Sequence, residues 1–284
     1  MASITVEQYA VGVVGLGLIR HWYVDGAANE DRINEMREIL DQSEEFPWNL
    51  ELNPQERDLI EGYSEWAKIY DGPNPLIETE EQVVQPLLRR LVKPQARVLD
   101  AACGTGRHAQ FLDSLECICV GVDQSIEMLD VAKNKLPGGR FELGTLERLP
   151  FEDNELDLAV VSLALCHLSD PTAAVTELAR VVRPDGTVVV TDPHPSSGII
   201  GGQGFYGSIT EGQPMRWVRN HYHSASTWLR AFRAAQFSVE DCIEAPLSDE
   251  QIAGLPASML YPEAALAALS GIPSLWVWEL RVQK

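Results

Sequence analysis

Three observations predict an α/β fold with a doubly wound, mostly parallel sheet. The apolar run Val98-Leu99-Asp100 passes directly into the small turn Ala101-Ala102-Cys103-Gly104-Thr105-Gly106 and then into a helical segment from Arg107. Cys117 to Val122 is a second buried strand, ending at Asp123. Strand-like and helix-like segments then alternate to about Pro193, the pattern of βα units around a parallel sheet.

The first two observations also place chemical groups. Without side chains at Gly104 and Gly106 the backbone can approach a ligand, and the following helix presents unpaired N–H groups to it. The same glycines would equally serve a plain turn. Asp123 lies about 20 residues past the turn, where a carboxylate can accept both hydroxyl hydrogens of a ribose. It could also cap the helix that begins near Ser125, and the two roles are compatible.

Here the sequence resembles the class I S-adenosylmethionine-dependent methyltransferases, whose first motif, an acidic residue, small residues and Gly-x-Gly, is matched by Asp100 through Gly106. Gly144 through Asp157 resembles that family's third motif region, and Leu178 to Val190, with Arg183-Pro184-Asp185-Gly186 at its turn, resembles the helix, turn and fifth strand that follow. The resemblance implies a seven-stranded sheet with one antiparallel member and S-adenosylmethionine as cofactor, with S-adenosylhomocysteine as product. It puts Asp100 near the methionine amino group, the Ala102 to Gly106 backbone along the methionine and ribose, Asp123 on the ribose hydroxyls, and Gln124 and Ser125 beside the adenine. Tyr70 and Ser162 join these implied cofactor contacts. Thr145 stands where many members carry an acidic residue for the adenine amino group, and a hydroxyl is the weaker acceptor. The Leu146 backbone N–H and Glu147 are the substitutes at hand.

Composition narrows the partners. The 284 residues include 22 basic and 42 acidic side chains, a formal charge of −20, which repels polyphosphate backbones and disfavours a nucleic-acid substrate. No Gly-Lys-Ser/Thr follows the glycine turn, and Ala109 and Gln110 occupy the place of a dinucleotide fold's third glycine. No membrane span is expected, since Met1 to Ala10 lacks a basic region and Val11 to Ile19 is short and glycine-rich. The five cysteines, Cys103, Cys117, Cys119, Cys166 and Cys242, fall on strands or the ligand turn, which fits free thiols and a cytoplasmic setting. No paired zinc-ligand spacing occurs, so no metal is expected.

Two domains are expected: a helical extension or lid over 1–79, and a core over 80–284 with insertions at about 194–225 and 245–273. Val11 to Ile19 reads as helical packing or a subunit contact, which with Trp22 and Tyr23 could pair two copies as a homodimer. Asn29 to Leu40 is helical by its apolar spacing, and Gln55 to Ile69 is expected to be helical again. In that segment Tyr63, Trp66 and Tyr70 are spaced for one helical face. They are either core packing or a lid that excludes water and encloses the cofactor's sulfonium with aromatic faces. Gly72-Pro73-Asn74-Pro75 is a hinge or boundary before a helix over Glu80 to Leu91.

Past the fourth strand, Leu156 to Leu163, His167 stands at the carboxyl edge of the sheet, as a general base, a substrate contact or a packing residue. After the fifth strand, His194 lies between prolines ahead of a glycine-rich loop with Phe205 and Tyr206, and is the preferred candidate base; a solvent-exposed turn residue is the alternative. His221 and His223 read as substrate-pocket or strand residues. Ser226 is expected to cap a helix over Thr227 to Ala235 with Trp228, Leu229 and Phe232 facing inward. The last strands are Phe237 to Glu244 and Ser274 to Gln283, separated by an insertion with helices near Asp249 to Ile252 and Pro262 to Leu269, expected with the N-terminal extension to roof a substrate cavity.

The expected activity is in-line transfer of the sulfonium methyl to O, N or C of a small molecule. Holding donor and acceptor collinear and dry does most of the work, and a histidine base acts where the acceptor has a proton to lose. An enzyme that uses the same cofactor for another reaction, such as a cyclisation, and a non-catalytic binding homologue remain alternatives.

Overall fold

A computed structural model describes residues 3–207 and 214–283, which fall into two compact units. Residues 208–213 of the expected insertion at 194–225 lie outside the described residues.

The larger unit holds residues 56–205, 217–245 and those from 274 on. Its sheet has seven strands: β1 (Arg97–Ala101), β2 (Ile118–Asp123), β3 (Arg140–Leu143), β4 (Leu156–Ser162), β5 (Val182–Pro193), β6 (Phe237–Pro246) and β7 (Pro273–Val282), in spatial order β6-β7-β5-β4-β1-β2-β3. β1 pairs parallel with β2 and β4, and β4 with β5, whereas β7 runs antiparallel to β5. This is the mostly parallel α/β sheet that the sequence predicts. The central strands read as unbroken apolar runs because both their faces are covered. On one side Leu99, Val161, Val188 and Val190 meet Leu178, Trp228 and Phe232. On the other, Val98, Val160 and Val189 meet Val84 and Leu88.

The helices of this unit are α1 (Leu59–Trp66), α2 (Pro75–Leu91), α3 (Arg107–Asp113), α4 (Ile126–Lys135), α5 (Thr172–Val181) and α6 (Ala225–Ala234). Several differ from the sequence reading for local reasons. α1 starts only at Leu59, where the Asp58 carboxylate accepts the Ile60 amide, and Gln55–Glu56 is a short strand instead of helix. α2 begins at Pro75, earlier than Glu80, because Asn74 caps it and proline suits the first helical position. The turn expected at Arg183 to Gly186 is a bulge inside β5: Leu156 pairs with Val182 and Leu158 with Thr187, and Asp185 takes a φ of 59°. α6 is capped by Ser224, whose hydroxyl accepts the Thr227 amide, not by Ser226. Leu229 is exposed there, and Ala231 joins Trp228 and Phe232 inside.

The smaller unit holds residues up to 55, 206–216 and 246–273. Helix Val6–His21 packs on Gly26–Asp41 and on Pro262–Leu269. A side chain at Gly17 would come within 3.1 Å of the Ala264 carbonyl, so the two helices touch backbone to backbone there. Arg20 then donates to the Ala267 and Ser270 carbonyls at the far end of the second helix, at 2.9 and 3.0 Å. The expected helices in the 245–273 insertion are present, with Pro256–Leu260 as a third. Among the described residues no helix is long and apolar enough to cross a membrane.

Candidate active site

A cleft opens at the carboxyl ends of β1, β2 and β4, the edge of an open α/β sheet where ligands bind. It is built where chains stop pairing and turn. Ala102 and Gly104 line it from the turn after β1, Val122 and Asp123 from β2, Gln124 and Ser125 from the turn into α4. Gly144, Thr145, Leu146 and Glu147 follow β3, and Ser162 to Ala164 follow β4. Two non-glycine residues here, Ala102 at φ 55° and Leu163 at φ 53°, are held left-handed, a strain found where a site fixes its backbone. Gly104 (φ 53°) has open space where its Cβ would point, whereas a Cβ on Gly106 (φ 79°) would press on Ala132 at 3.0 Å. Gly104 therefore leaves room on the cleft, and Gly106 lets α3 and α4 close together.

Asp123 organises this wall. One carboxylate oxygen accepts the Gly104 amide at 2.8 Å and the other the Ser125 amide at 2.8 Å. Each oxygen keeps a lone pair for a ligand hydroxyl. Burial pushes its pKa above the ordinary carboxylate value, against the pull of those amides. Ser125 caps α4 through its own hydroxyl.

The opposite wall comes from α1 and the 3₁₀ turn Leu165–His167. Leu59, Ile60, Tyr63, Tyr70, His167 and Leu168 line it. Tyr63 Oη lies 2.7 Å from His167 Nε2, and His167 Nδ1 lies 2.8 Å from the Arg219 carbonyl oxygen. A carbonyl only accepts, so Nδ1 carries the hydrogen and Nε2 is left with the lone pair that receives the Tyr63 hydroxyl. Burial pulls the His167 pKa below the usual imidazole value and keeps the ring neutral. Burial likewise pushes the Tyr63 phenol well up, and Tyr70 to about 12. Trp66 stacks on Tyr63 with centroids 5.5 Å apart and meets Tyr70 edge-on at 5.2 Å, behind the lining.

Of the residues singled out from sequence, Tyr63, Tyr70, Ala102, Gly104, Asp123, Gln124, Thr145, Leu146, Ser162 and His167 converge on this cleft. Asp100 lies beneath it, its carboxylate accepting the Ala109 amide at 2.9 Å and its pKa pushed by burial to about 6. His194 is engaged elsewhere. Its Nδ1 accepts the Ser196 amide and lies 2.8 Å from the Ser196 hydroxyl, its Nε2 faces Glu244 at 3.1 Å, and it caps the short helix Pro195–Ile199. Phe205, His221 and His223 are likewise outside the lining; His223 packs edge-on to Trp228, and the His221 amide binds the Cys166 carbonyl. Tyr206 is buried in the smaller unit.

Sequence reading passed over two groups. Glu80 of α2 is wholly buried and binds Arg107 (2.5 Å) and His108 (3.0 Å) of α3, and Ser162 (2.5 Å). Burial alone would raise its pKa, but the neighbouring imidazole and guanidinium and the hydrogen bonds hold its carboxyl well below the usual range. Glu80 thereby fixes Ser162, which lines the cleft. Asp192, buried at the end of β5, accepts the Cys166 amide at 3.1 Å and steadies the turn that carries His167. Burial pushes its pKa to about 8.

Comparison with known proteins agrees with this architecture. Residues 99–190 match the family model described as a methyltransferase domain. A demethylmenaquinone methyltransferase of Renibacterium salmoninarum is 37% identical over 106 residues, covering 37% of this chain and 45% of the relative. The uncharacterized methyltransferase YcgJ of Bacillus subtilis is 32% identical over 155 residues, covering 52% and 60%. The chain thus spans about half the length of these curated relatives. Among solved structures, the putative methyltransferase in complex with the Trm112 activator of Haloferax volcanii superposes with a TM-score of 0.63 at 20% identity, over 80% of this chain and 98% of that one. An S-adenosylmethionine-dependent methyltransferase of Mesorhizobium loti gives 0.52 at 23% identity, over 69% and 96%. These structures show the shared fold. Residues 99–190 thus carry a methyltransferase domain on the fold shared with these S-adenosylmethionine-dependent enzymes, and the cleft, with its free lone pairs on Asp123 and its open backbone at Gly104, lies within that matched region and its flanks.

Proposed function

We propose that this chain catalyses methyl transfer from S-adenosylmethionine to a small-molecule acceptor, with His167 as the base. The observation that carries the reading is the tautomer of His167: its Nδ1–H is tied to the Arg219 carbonyl, so Nε2 is a neutral acceptor, reached through the hydroxyl of Tyr63 in the cleft lining. The bound cofactor supplies an activated methyl on a sulfonium. Asp123 and the Gly104 wall hold its adenosyl portion, while Thr145, Leu146 and Gln124 flank the base. Tyr63 and Tyr70 close the other side and exclude water, and their aromatic faces favour the positive sulfur. Catalysis is then chiefly alignment, with His167 taking the proton that the acceptor loses. Asp100 supports α3 and acts on the ligand through the turn it holds.

A small acceptor accords with the charge of −20, which repels nucleic acid, and with the curated relative named for demethylmenaquinone. The test follows methyl-labelled S-adenosylmethionine into low-molecular-mass material. Wild-type protein should label such a product, and His167→Ala should lower the rate by about two orders of magnitude while S-adenosylhomocysteine still binds. Because burial lowers the His167 pKa, the acid limb of the wild-type rate should fall below about pH 6.5. An unchanged rate in His167→Ala would remove the base from this reading, and absence of any labelled product would remove the activity.

A further inference from the structure

We infer that the acceptor is a phenol or a comparably acidic enol, and that Tyr63 relays its proton to His167. The inference rests on the methyl-transfer reading and deepens it. A phenolic hydroxyl is already the partner of His167 Nε2, through Tyr63 Oη at 2.7 Å. The hydrogen-bond chain runs one way: the Arg219 carbonyl accepts from Nδ1, and Nε2 accepts from Tyr63. Its open end is Tyr63 Oη, which has donated its hydrogen and keeps a lone pair able to accept a hydroxyl from a ligand in the cleft that Tyr63 lines.

The surroundings select the class. The wall around this pair is apolar, from Leu59, Ile60, Leu163, Ala164 and Leu168, which suits a ring. Among the described residues no lysine or arginine lines the cleft, so a carboxylate acceptor meets no counter-charge. The wall that carries Tyr63 and His167 contributes no lining carboxylate: Asp123 and Glu147 follow β2 and β3, and Asp192, behind the turn of His167, is kept protonated by burial, so an ammonium meets no formed counter-charge there. An uncharged hydroxyl avoids both penalties. Proton affinity narrows the choice further. The net transfer is from the acceptor hydroxyl to the His167 imidazole, and a phenol, with an ordinary pKa of about 10, releases its proton far more readily than an aliphatic alcohol.

The step balances within these groups. The acceptor O–H bond breaks and its proton forms a new O–H bond on Tyr63, as the original Tyr63 proton moves to His167 Nε2. The electron pair stays with the acceptor as a phenolate, Tyr63 ends neutral, and the imidazolium keeps its Nδ1–H on Arg219. Nucleophilic charge then stands on the acceptor oxygen and on its ortho and para carbons.

The test is binding of matched small aromatics to the protein loaded with S-adenosylhomocysteine, by calorimetry: p-cresol against 4-methylanisole, 4-methylbenzylamine and p-toluate. p-Cresol should bind about tenfold more tightly than 4-methylanisole, in which a methyl replaces the donated hydrogen, and more tightly than either ion. Tyr63→Phe should abolish that preference, with its melting temperature and circular dichroism as the check that the variant is folded. Equal binding of p-cresol and 4-methylanisole to wild-type protein would overturn the inference, as would preference for the amine or the carboxylate. Either result with S-adenosylhomocysteine bound leaves the methyl-transfer reading standing, whereas wild-type protein that fails to bind S-adenosylhomocysteine overturns both.

Discussion

Asp192 shows how far a single residue's environment can depart from its sequence. Two positions before His194 in a short polar run, it reads as part of a loop, yet it is 2% exposed and, among the described residues, its charge meets no cation. Burial raises its pKa to about 8, so at neutral pH the folded chain retains a proton that the unfolded chain releases near pH 3.9. The sign follows directly. The contribution to stability is full below about pH 3.9 and is lost as the pH rises to about 8. An asparagine side chain in its place has no such proton to hold and can still accept the Cys166 amide. The melting temperature of Asp192→Asn relative to wild type should therefore climb between about pH 4 and pH 8 and level off beyond. A difference independent of pH would show that the carboxyl is ionised in the folded protein. His167 and His194 teach the same lesson: both follow strands at the same sheet edge, but Arg219 and Tyr63 orient one in the cleft, and Ser196 and Glu244 hold the other. Those partners are distant in sequence or hidden in a turn, so residue type and spacing could not separate the two.

At the scale of elements, the strands were legible because burial on both faces writes apolar runs, and the turn after β1 because left-handed backbone calls for glycine at 104 and 106. Element ends were less so. Capping by Asp58, Asn74 and Ser224 set them, and several polar residues nearby could each have served. The clamp at Glu80 was not legible at all, because it joins α2, α3 and β4 across 27 to 82 residues of chain. It has a cost if broken. Glu80→Ala would leave the mostly buried Arg107 guanidinium with only the longer Glu81 contact at 3.5 Å and the Ser162 hydroxyl, and the buried His108 without its carboxylate, and should destabilise the protein by about 3 kcal/mol in denaturant unfolding. A loss below about 0.5 kcal/mol would show that water replaces the carboxylate there. α1 is fastened at its surface by Ser64 to Glu127 of α4 at 2.8 Å and toward the cleft by Tyr63 to His167 at 2.7 Å.

At the scale of the whole molecule, the parallel sheet supplies the site by geometry. β1, β2 and β4 end side by side, and their turns give a cleft before any side chain is specified. In the proposed function Asp123 makes it selective, and this is the claim on which that proposal depends. Titration of the purified chain with S-adenosylhomocysteine in a calorimeter tests it directly. The account predicts one site per chain, with affinity reduced about 10- to 100-fold in Asp123→Ala through loss of the charge-assisted hydrogen bonds to the ribose. No binding to the wild-type chain, or undiminished affinity in Asp123→Ala, would contradict it.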